Sequence, residues 1–413
     1  MTTRERKTLT REARKLLGSP DLFRKHLDAM QRNGLVGEEP NATIVLVTGV
    51  SRLLQKPLNL TVKGPSSAGK NHLIKCVLSL FPKDAVREIT STSAHAWHYS
   101  EDDFKHRVLY QQELDLKSAA MRQVRQFISE GRLIRTTTVK RNGRFVTERF
   151  VAEGPIAAIS TTTKLQLAID EETRHLSLFV DETREQTRRV LGAAFRQTSP
   201  LSEEEIKVWK QAHRLLERRA TEATIVFPSW VAAISDAAYD QNIRMRRYMT
   251  AFATACEAVA LIRSFLPGHY DVRRHRIEVH FSDFAVAALL FVPTFEESLH
   301  RGKEEETDRT RALVDRLVAR TKAKGVGRRD VQKELGISKD KAYRLLRDAL
   351  DAGVIYRSNK PEKGNAKVYR PTKWPRFIPD PEALFQKLPE IGKRVRFVHP
   401  LTGRKIVYRR EKD

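Results

Sequence analysis

The stretch GPSSAGKNH, residues 64–72, decides the fold. A glycine, four residues, then Gly69-Lys70 is the spacing of a phosphate-binding loop. The position after the lysine normally carries a Ser or Thr hydroxyl that touches magnesium, and here it is Asn71. The loop works only in context: a buried strand must deliver the chain to a tight turn, and a helix N-terminus must follow. Residues 58–62 alternate as a strand, 64–69 form the turn, and an apolar helical run over 71–80 ends at Pro82. Small Ser66, Ser67 and Ala68 let the backbone wrap closely, so Gly64, Pro65, Ser66, Ser67, Ala68, Gly69, Lys70, Asn71 and His72 are the expected nucleotide-binding residues. Lys70 is expected to reach the β- and γ-phosphates of ATP. The Asn71 amide oxygen is expected to stand in as a Mg2+ contact.

Hydrolysis also needs a carboxylate at the end of a neighbouring strand. KHRVLYQQELDL, residues 105–116, offers Glu113 there, as catalytic group and metal contact, with Asp115 as second candidate. Gln111 and Gln112 make this strand unusually polar, and a surface Glu at a helix start is the competing reading. Next, GRLIRTTTVKRNGRFVTERFVAEG (131–154) has two β-rich runs about Asn142-Gly143, a strong hairpin signal. Lys140, Arg141 and Arg144 cluster at its tip and suit a phosphate backbone; a solvated surface hairpin is the alternative. GPIAAISTTTK (154–164) reads as a buried strand, where Thr161 or Thr162 can bond a water or the γ-phosphate. Arg174 follows, just before another apolar strand, placed to reach a neighbour's phosphate.

This order of parts resembles the AAA+ ATPases. The hairpin just before the polar strand narrows the resemblance to ring helicases similar to the minichromosome-maintenance and superfamily-three types, and at finer grain to helicase-like ATPases of bacterial mobile elements and phages. It is carried by SRLLQKPLNLTVKGPSSAGKNHLIKCVLSLFP, EDDFKHRVL, SEGRLI, EGPIAAISTTT and EETRHLSLFVDETREQTRRVL, within residues 51–191. The resemblance implies an oligomeric ring, a hexamer, moving on DNA with ATP, and a possible primase partner. It makes Lys70 the phosphate lysine, Glu113 the acidic motor residue, Thr162 the sensor, Arg174 the finger acting across an interface, and Arg188 a second sensor.

Downstream, GVGRRDVQKELGISKDKAYRLLRDALDAGVIYR (325–357) reads as a helix-turn-helix entering a wing. Val331 and Leu335 are expected to line its first helix, Ser338 to cap the second. The second helix keeps Lys339, Lys341, Tyr343, Arg344 and Arg347 on its outer face, which suits a DNA groove or its phosphates.

The bulk properties agree. The 413 residues carry a formal net charge of +25, and residues 301–413 hold 31 Lys/Arg against 16 Asp/Glu. Such a balance points to a polyanionic partner. Two distant cysteines, Cys76 and Cys256, argue against a disulfide framework or a Cys zinc site and fit a reducing cytoplasm. The polar N-terminus lacks a secretory signal, no apolar run nears the roughly 20 residues of a bilayer span, and no membrane role is expected.

The expected fold class is α/β: a P-loop AAA+ core with a parallel sheet, flanking helical domains and a C-terminal winged helix. The expected boundaries are an N-terminal helical region at 1–50, the ATPase core at 51–192, a helical lid at 193–303, the winged helix at 304–372, and a basic tail with a short hairpin at 373–413. The leading function is an ATP-dependent DNA helicase or translocase for mobile-element replication. The alternative is a DNA-binding AAA+ switch (initiator, loader or regulator) that does not unwind.

Overall fold

The computed structural model describes residues 2–89, 104–113, 126–141, 144–164, 174–193, 195, 199–238, 245–301, 310, 313–314, 316–318, 325–351, 355–357, 368–371 and 377–410. Asp115, the hairpin tip Asn142-Gly143 and the basic loop at 360–363 lie outside these, as do the side chains of Lys140, Arg141 and Arg144. The chain forms two compact units, residues 1–294 with 378–413, and residues 295–377.

The first unit begins with helices α1 (Thr3–Leu17), α2 (Leu22–Arg32) and α3 (Glu39–Ser51). Ten consecutive α3 residues, 42–51, are buried on every side, as a helix without a polar face must be. Strand β1 (Leu60–Lys63) then enters the loop, and α4 (Lys70–Leu78) leaves it. Strands β2 (Val86–Ile89) and β3 (Arg107–Gln111), a long hairpin of β4 (Arg132–Arg141) and β5 (Arg144–Glu153), then β6 (Ile156–Thr162) and β7 (Leu176–Phe179) follow. Helices α5 (Arg184–Ala193) and α6 (Glu203–Glu222) come next, and α6 packs against α1.

Five strands make one sheet in the order β2-β3-β6-β1-β7, and every pairing is parallel. All seven residues of β6 and all four of β1 are buried, the near-continuous apolar texture of a sheet covered on both faces. Among the buried polar residues of these strands, Thr61 and Ser160 share a hydroxyl hydrogen bond of 2.9 Å between β1 and β6. At the start of the strands, the Asn59 side chain accepts the Ala158 N–H at 2.9 Å and its carbonyl accepts the Leu176 N–H at 2.8 Å. One residue thus sets the register of both neighbours of β1. The β4–β5 hairpin pairs antiparallel out to Arg141 opposite Arg144.

Helices Met245–Arg263 and Phe281–Arg301 supply further apolar core, beside a small sheet in which Arg276–Glu278 pairs with Thr224–Val226 and Tyr270–Asp271. The C-terminal residues do not trail away. Strands Arg394–Val398 and Lys405–Arg409 pair as a hairpin, with Phe397 and Tyr408 buried and Phe385 packed on Phe281. Among the described residues no helix is long and apolar enough to cross a membrane.

In the second unit, Val326–Gly327 leads into helix Arg328–Leu335, a turn through Gly336 at φ +63°, and helix Lys339–Asp351. Val368–Pro371 pairs antiparallel with both Val326–Gly327 and Ile355–Arg357. Val331, Ala342, Leu346, Ala349, Ile355 and Tyr369 share one core. The Ser338 hydroxyl accepts the Lys341 N–H at 3.3 Å. Leu335 corrects its expectation: it is 46% exposed, because the left-handed turn at Gly336 starts beside it and lifts it off the core.

Candidate nucleotide site

A parallel sheet carries its loops at the strand C-termini, and ligands sit there where the chain direction switches across the sheet. Here β1 is flanked by β6 and β7, so residues 64–69, 112–113, 163–164 and 180–182 all leave the same edge. A cavity of ≈ 590 Å³ opens there, lined by residues 66–72 of the loop, Glu113, and residues 161–164. A second, of ≈ 650 Å³, shares the loop and is walled by Leu35, Val36, Glu38, Asp181, Val190 and Leu191.

The loop's shape follows from its residues. A Cβ on Gly64 would lie 2.4 Å from the Val180 side chain, so only glycine lets β1 pass β7 there. Ser67 and Gly69 take φ values of +67° and +84°, an alternation that turns successive N–H groups inward as an anion nest. The first N–H groups of α4 have no partner within the helix and add its positive end. Lys70 is buried, and its Nζ donates to the carbonyls of Gly64 and Pro65. Burial lowers its pKa, while the carboxylates of Glu113 and Glu182 act against that shift.

Asn71 is the centre of a cross-strand network. Its Oδ1 accepts from the Tyr110 hydroxyl at 3.1 Å and from Thr161 Oγ1 at 3.0 Å, and its Nδ2 donates to Gln112 Oε1 at 3.3 Å. Thr161 Oγ1 in turn accepts the Glu113 N–H at 3.1 Å. Glu113 itself sits at φ +49°, exposed at the mouth of the cavity. Thr161, rather than Thr162, therefore links the loop helix to the acidic strand end. Thr162 lines the same cavity, but its carbonyl accepts the Gly64 N–H and its hydroxyl accepts the Lys164 N–H. The oxygen expected to meet magnesium at Asn71 is occupied by two hydroxyl donors, which is all an amide oxygen's two lone pairs accommodate.

Arg174 is not in this cavity. It precedes β7, so it stands at the opposite edge of the sheet, roughly 10 Å of strand away. Its Nη1 donates to Ser129 Oγ, just ahead of the hairpin, and among the described residues its buried Nε has no partner. Arg188 is exposed on α5 and lines neither cavity, whereas Gln186, Thr187, Val190 and Leu191 of that helix line the second. The outer face of helix Lys339–Asp351 presents Lys339, Lys341, Tyr343, Arg344 and Arg347, all exposed.

Sequence reading missed Glu182, Lys164, Tyr110 and the segment at 34–38. None has a spacing that marks it; each reaches the loop only because of strand order. The Asp181 N–H donates to Glu38 at 2.6 Å and Gln186 donates to the Val36 carbonyl at 2.6 Å, tying the segment before α3 to the far side of the second cavity.

A five-stranded parallel sheet with a glycine loop and helix at its central strand, flanked by helices, defines a P-loop ATPase domain of the AAA+ kind. The chain belongs to the family described as the MTBMA_p00010 P-loop domain, which matches residues 8–218. No curated protein matches it. Among solved structures it is similar to a full-length MCM homolog from Methanopyrus kandleri, at 12% identity and a TM-score of 0.44. That match covers 72% of this chain and 62% of the other, so the chain spans less than two thirds of that protein's length.

Proposed function

We propose that this chain is an ATP-driven DNA helicase or translocase that works as an oligomeric ring, a hexamer, in replication of a mobile genetic element. The observation that carries the reading is the separation of Arg174 from Lys70 across the sheet. A cation placed just before β7 has no reach to its own loop, and a ring sets that edge against the next subunit's nucleotide. The triphosphate lies along the loop N–H groups with Lys70 on its terminal phosphates. The base rests in the second cavity against Leu35, Val36, Val190 and Leu191. Glu113 orients the attacking water, held in place through Thr161. Arg174 of the neighbour offsets the charge that develops on the transferred phosphoryl group.

DNA is taken up at two places: a single strand by the basic tip of the β4–β5 hairpin, and duplex by residues 325–371, which we read as a winged helix. A primase is a fitting partner for such a motor. The test is strand displacement on a forked duplex together with ATP turnover measured with and without that DNA. Turnover stimulated by DNA with strand separation supports the motor.

A second reading, a DNA-bound switch that binds ATP without unwinding, is favoured by one observation: amides stand at Asn71 and Gln112, where a hydrolysing site holds its metal. DNA binding without strand displacement selects it.

A further inference from the structure

Two positions that manage magnesium in a phosphate loop are changed together in this chain. The residue after the loop lysine is normally a hydroxyl on the metal, and the strand end beside it normally carries an Asp for the same ion. Here they are Asn71 and Gln112. The two changed side chains touch: Asn71 Nδ2 donates to Gln112 Oε1 at 3.3 Å. Gln112 Nε2 passes the chain on to Glu88 Oε1. On the other side, Tyr110 and Thr161 donate to Asn71 Oδ1. The amides thus close a network of their own. Recruiting Asn71 to a metal breaks two hydrogen bonds, for an ion that gives up its water reluctantly. Magnesium at a nucleotide needs one or two protein oxygens besides the phosphates, and here both customary positions are amides held in this network. The donor set does not fit a magnesium ion held by the protein.

The cavity compensates on the cation side. Lys70 and Lys164 both line it, and Glu113 is the carboxylate among the lining residues described. Lys164 follows β6 by two residues, at the same sheet edge as the loop, with its side chain exposed to the cavity mouth. Lys70, bonded to the loop carbonyls, and exposed Lys164 thus line one cavity with the loop's N–H nest, with Glu113 and Glu182 as the carboxylates acting on Lys70.

We propose that the Asn71–Gln112 amide pair replaces the protein's magnesium ligands, and that this chain binds ATP without requiring the metal, with Lys164 supplying the second positive charge beside Lys70. The inference rests on the nucleotide-binding reading of the loop and deepens it. The amide pair keeps the task of structure: through Thr161 it holds Glu113 at the cavity. The charge the ion would have brought comes from the chain itself.

Equilibrium dialysis of radiolabelled ATP against the full-length wild-type chain, with magnesium and with EDTA, tests this. The expected result is a dissociation constant that changes by less than about threefold on chelation. Lys164→Ala is expected to weaken binding in EDTA by about tenfold. The double variant Asn71→Thr with Gln112→Asp is expected to acquire metal dependence, so that chelation weakens its binding by about tenfold or more. Loss of wild-type binding in EDTA alone overturns the inference while leaving nucleotide binding intact. Absence of binding in both conditions overturns the nucleotide reading and the inference with it. An unaltered affinity in Lys164→Ala removes Lys164 from the site. The wild-type comparison decides the metal question even if a variant does not fold.

Discussion

Lys70 is folded onto the loop that carries it, its Nζ donating to the Gly64 carbonyl at 2.8 Å. A second bond, to the Pro65 carbonyl at 2.6 Å, completes this resting position. Phosphate oxygens are better acceptors than these neutral carbonyls, because charge-assisted bonds are roughly twice as strong. Nucleotide binding therefore exchanges weak partners for strong ones without moving the backbone. Lys70→Ala is expected to weaken ATP binding by about 1.5–3 kcal/mol, the worth of a hydrogen bond to a charged group. The freed Pro65 carbonyl belongs to an exposed residue and can take water, whereas the Gly64 carbonyl is buried, so the unfolding midpoint should fall slightly. Titration calorimetry and a denaturant curve read the two quantities separately.

Arg174 tests the ring. Arg174→Ala is expected to leave ATP affinity unchanged and to lower turnover by about a thousandfold, the scale of an arginine supplied across an interface. Mixing it with Lys70→Ala subunits should recover part of the turnover, since some interfaces then pair an intact loop with an intact arginine. No recovery in rings shown to be mixed would count against action across an interface.

The proposed DNA contact of the β4–β5 hairpin can be tested apart from nucleotide binding. Its strands pair over ten residues each, out to Arg141 opposite Arg144. Changing Lys140, Arg141 and Arg144 together to Ala is expected to abolish DNA-stimulated turnover and strand displacement while ATP binding persists. Unwinding at the wild-type rate in that variant would remove the hairpin from the mechanism.

Two buried histidines make stability depend on pH. His26 packs edge-on to Trp209, and His213 stacks on Phe81. Burial holds the His26 pKa down to about 3, and burial with the nearby Arg52 and His26 charges holds His213 well below the ordinary value. Both folded values lie below the unfolded one of about 6.5, so the unfolded chain binds more protons in between. Their stabilising contribution is complete above about pH 6.5 and declines as the pH falls toward the folded values. At pH 5 His26 costs about 2 kcal/mol relative to pH 7, and His213 acts in the same direction. Urea midpoints at the two pH values check this, and His26→Phe should flatten the dependence.

The loop, its strand and its helix were legible because each is a local signal: a spacing, an alternation, a periodic apolar face. The Asn142-Gly143 hairpin and the helix-turn-helix pattern were legible for the same reason. What the sequence did not display is adjacency. Nothing local says that Thr161 rather than Thr162 reaches Asn71, or that Glu182 lies near Lys70; both depend on β6 and β7 flanking β1 in parallel register. The polar Gln112 looked like a defect in an apolar strand until its partner, one helix away, was in place. The C-terminal hairpin was readable as a hairpin, but nothing in it announces that Tyr408 packs against Phe385 as well as against Phe397. Helix α3 stops at Ser51, whose hydroxyl accepts the Leu58 N–H and turns the chain toward β1.

Asp283 gives the last prediction, of opposite origin to the histidines. It is fully buried, with Oδ1 bonded to the Arg263 guanidinium and Oδ2 accepting the His280 N–H at 2.9 Å. Burial alone would raise its pKa, but Arg263, His269 and the His280 N–H outweigh burial and hold it below the usual carboxylate value. Its folded pKa is thus below the unfolded one of about 3.9, so its contribution is complete above that value and is lost only as the pH falls through the folded pKa. Asp283→Asn removes the charge while keeping the shape, and leaves Arg263, itself 7% exposed, as a buried cation without its counter-ion. The expected cost is about 3–5 kcal/mol, the penalty for breaking a buried pair from one side. Replacing both residues with apolar ones, Arg263→Met with Asp283→Leu, should recover much of it, because the desolvation penalty then disappears along with the pair. Denaturant unfolding of the single and double variants at pH 7 distinguishes this from a packing effect: equal losses in both would show that the charge is not what the helix junction depends on.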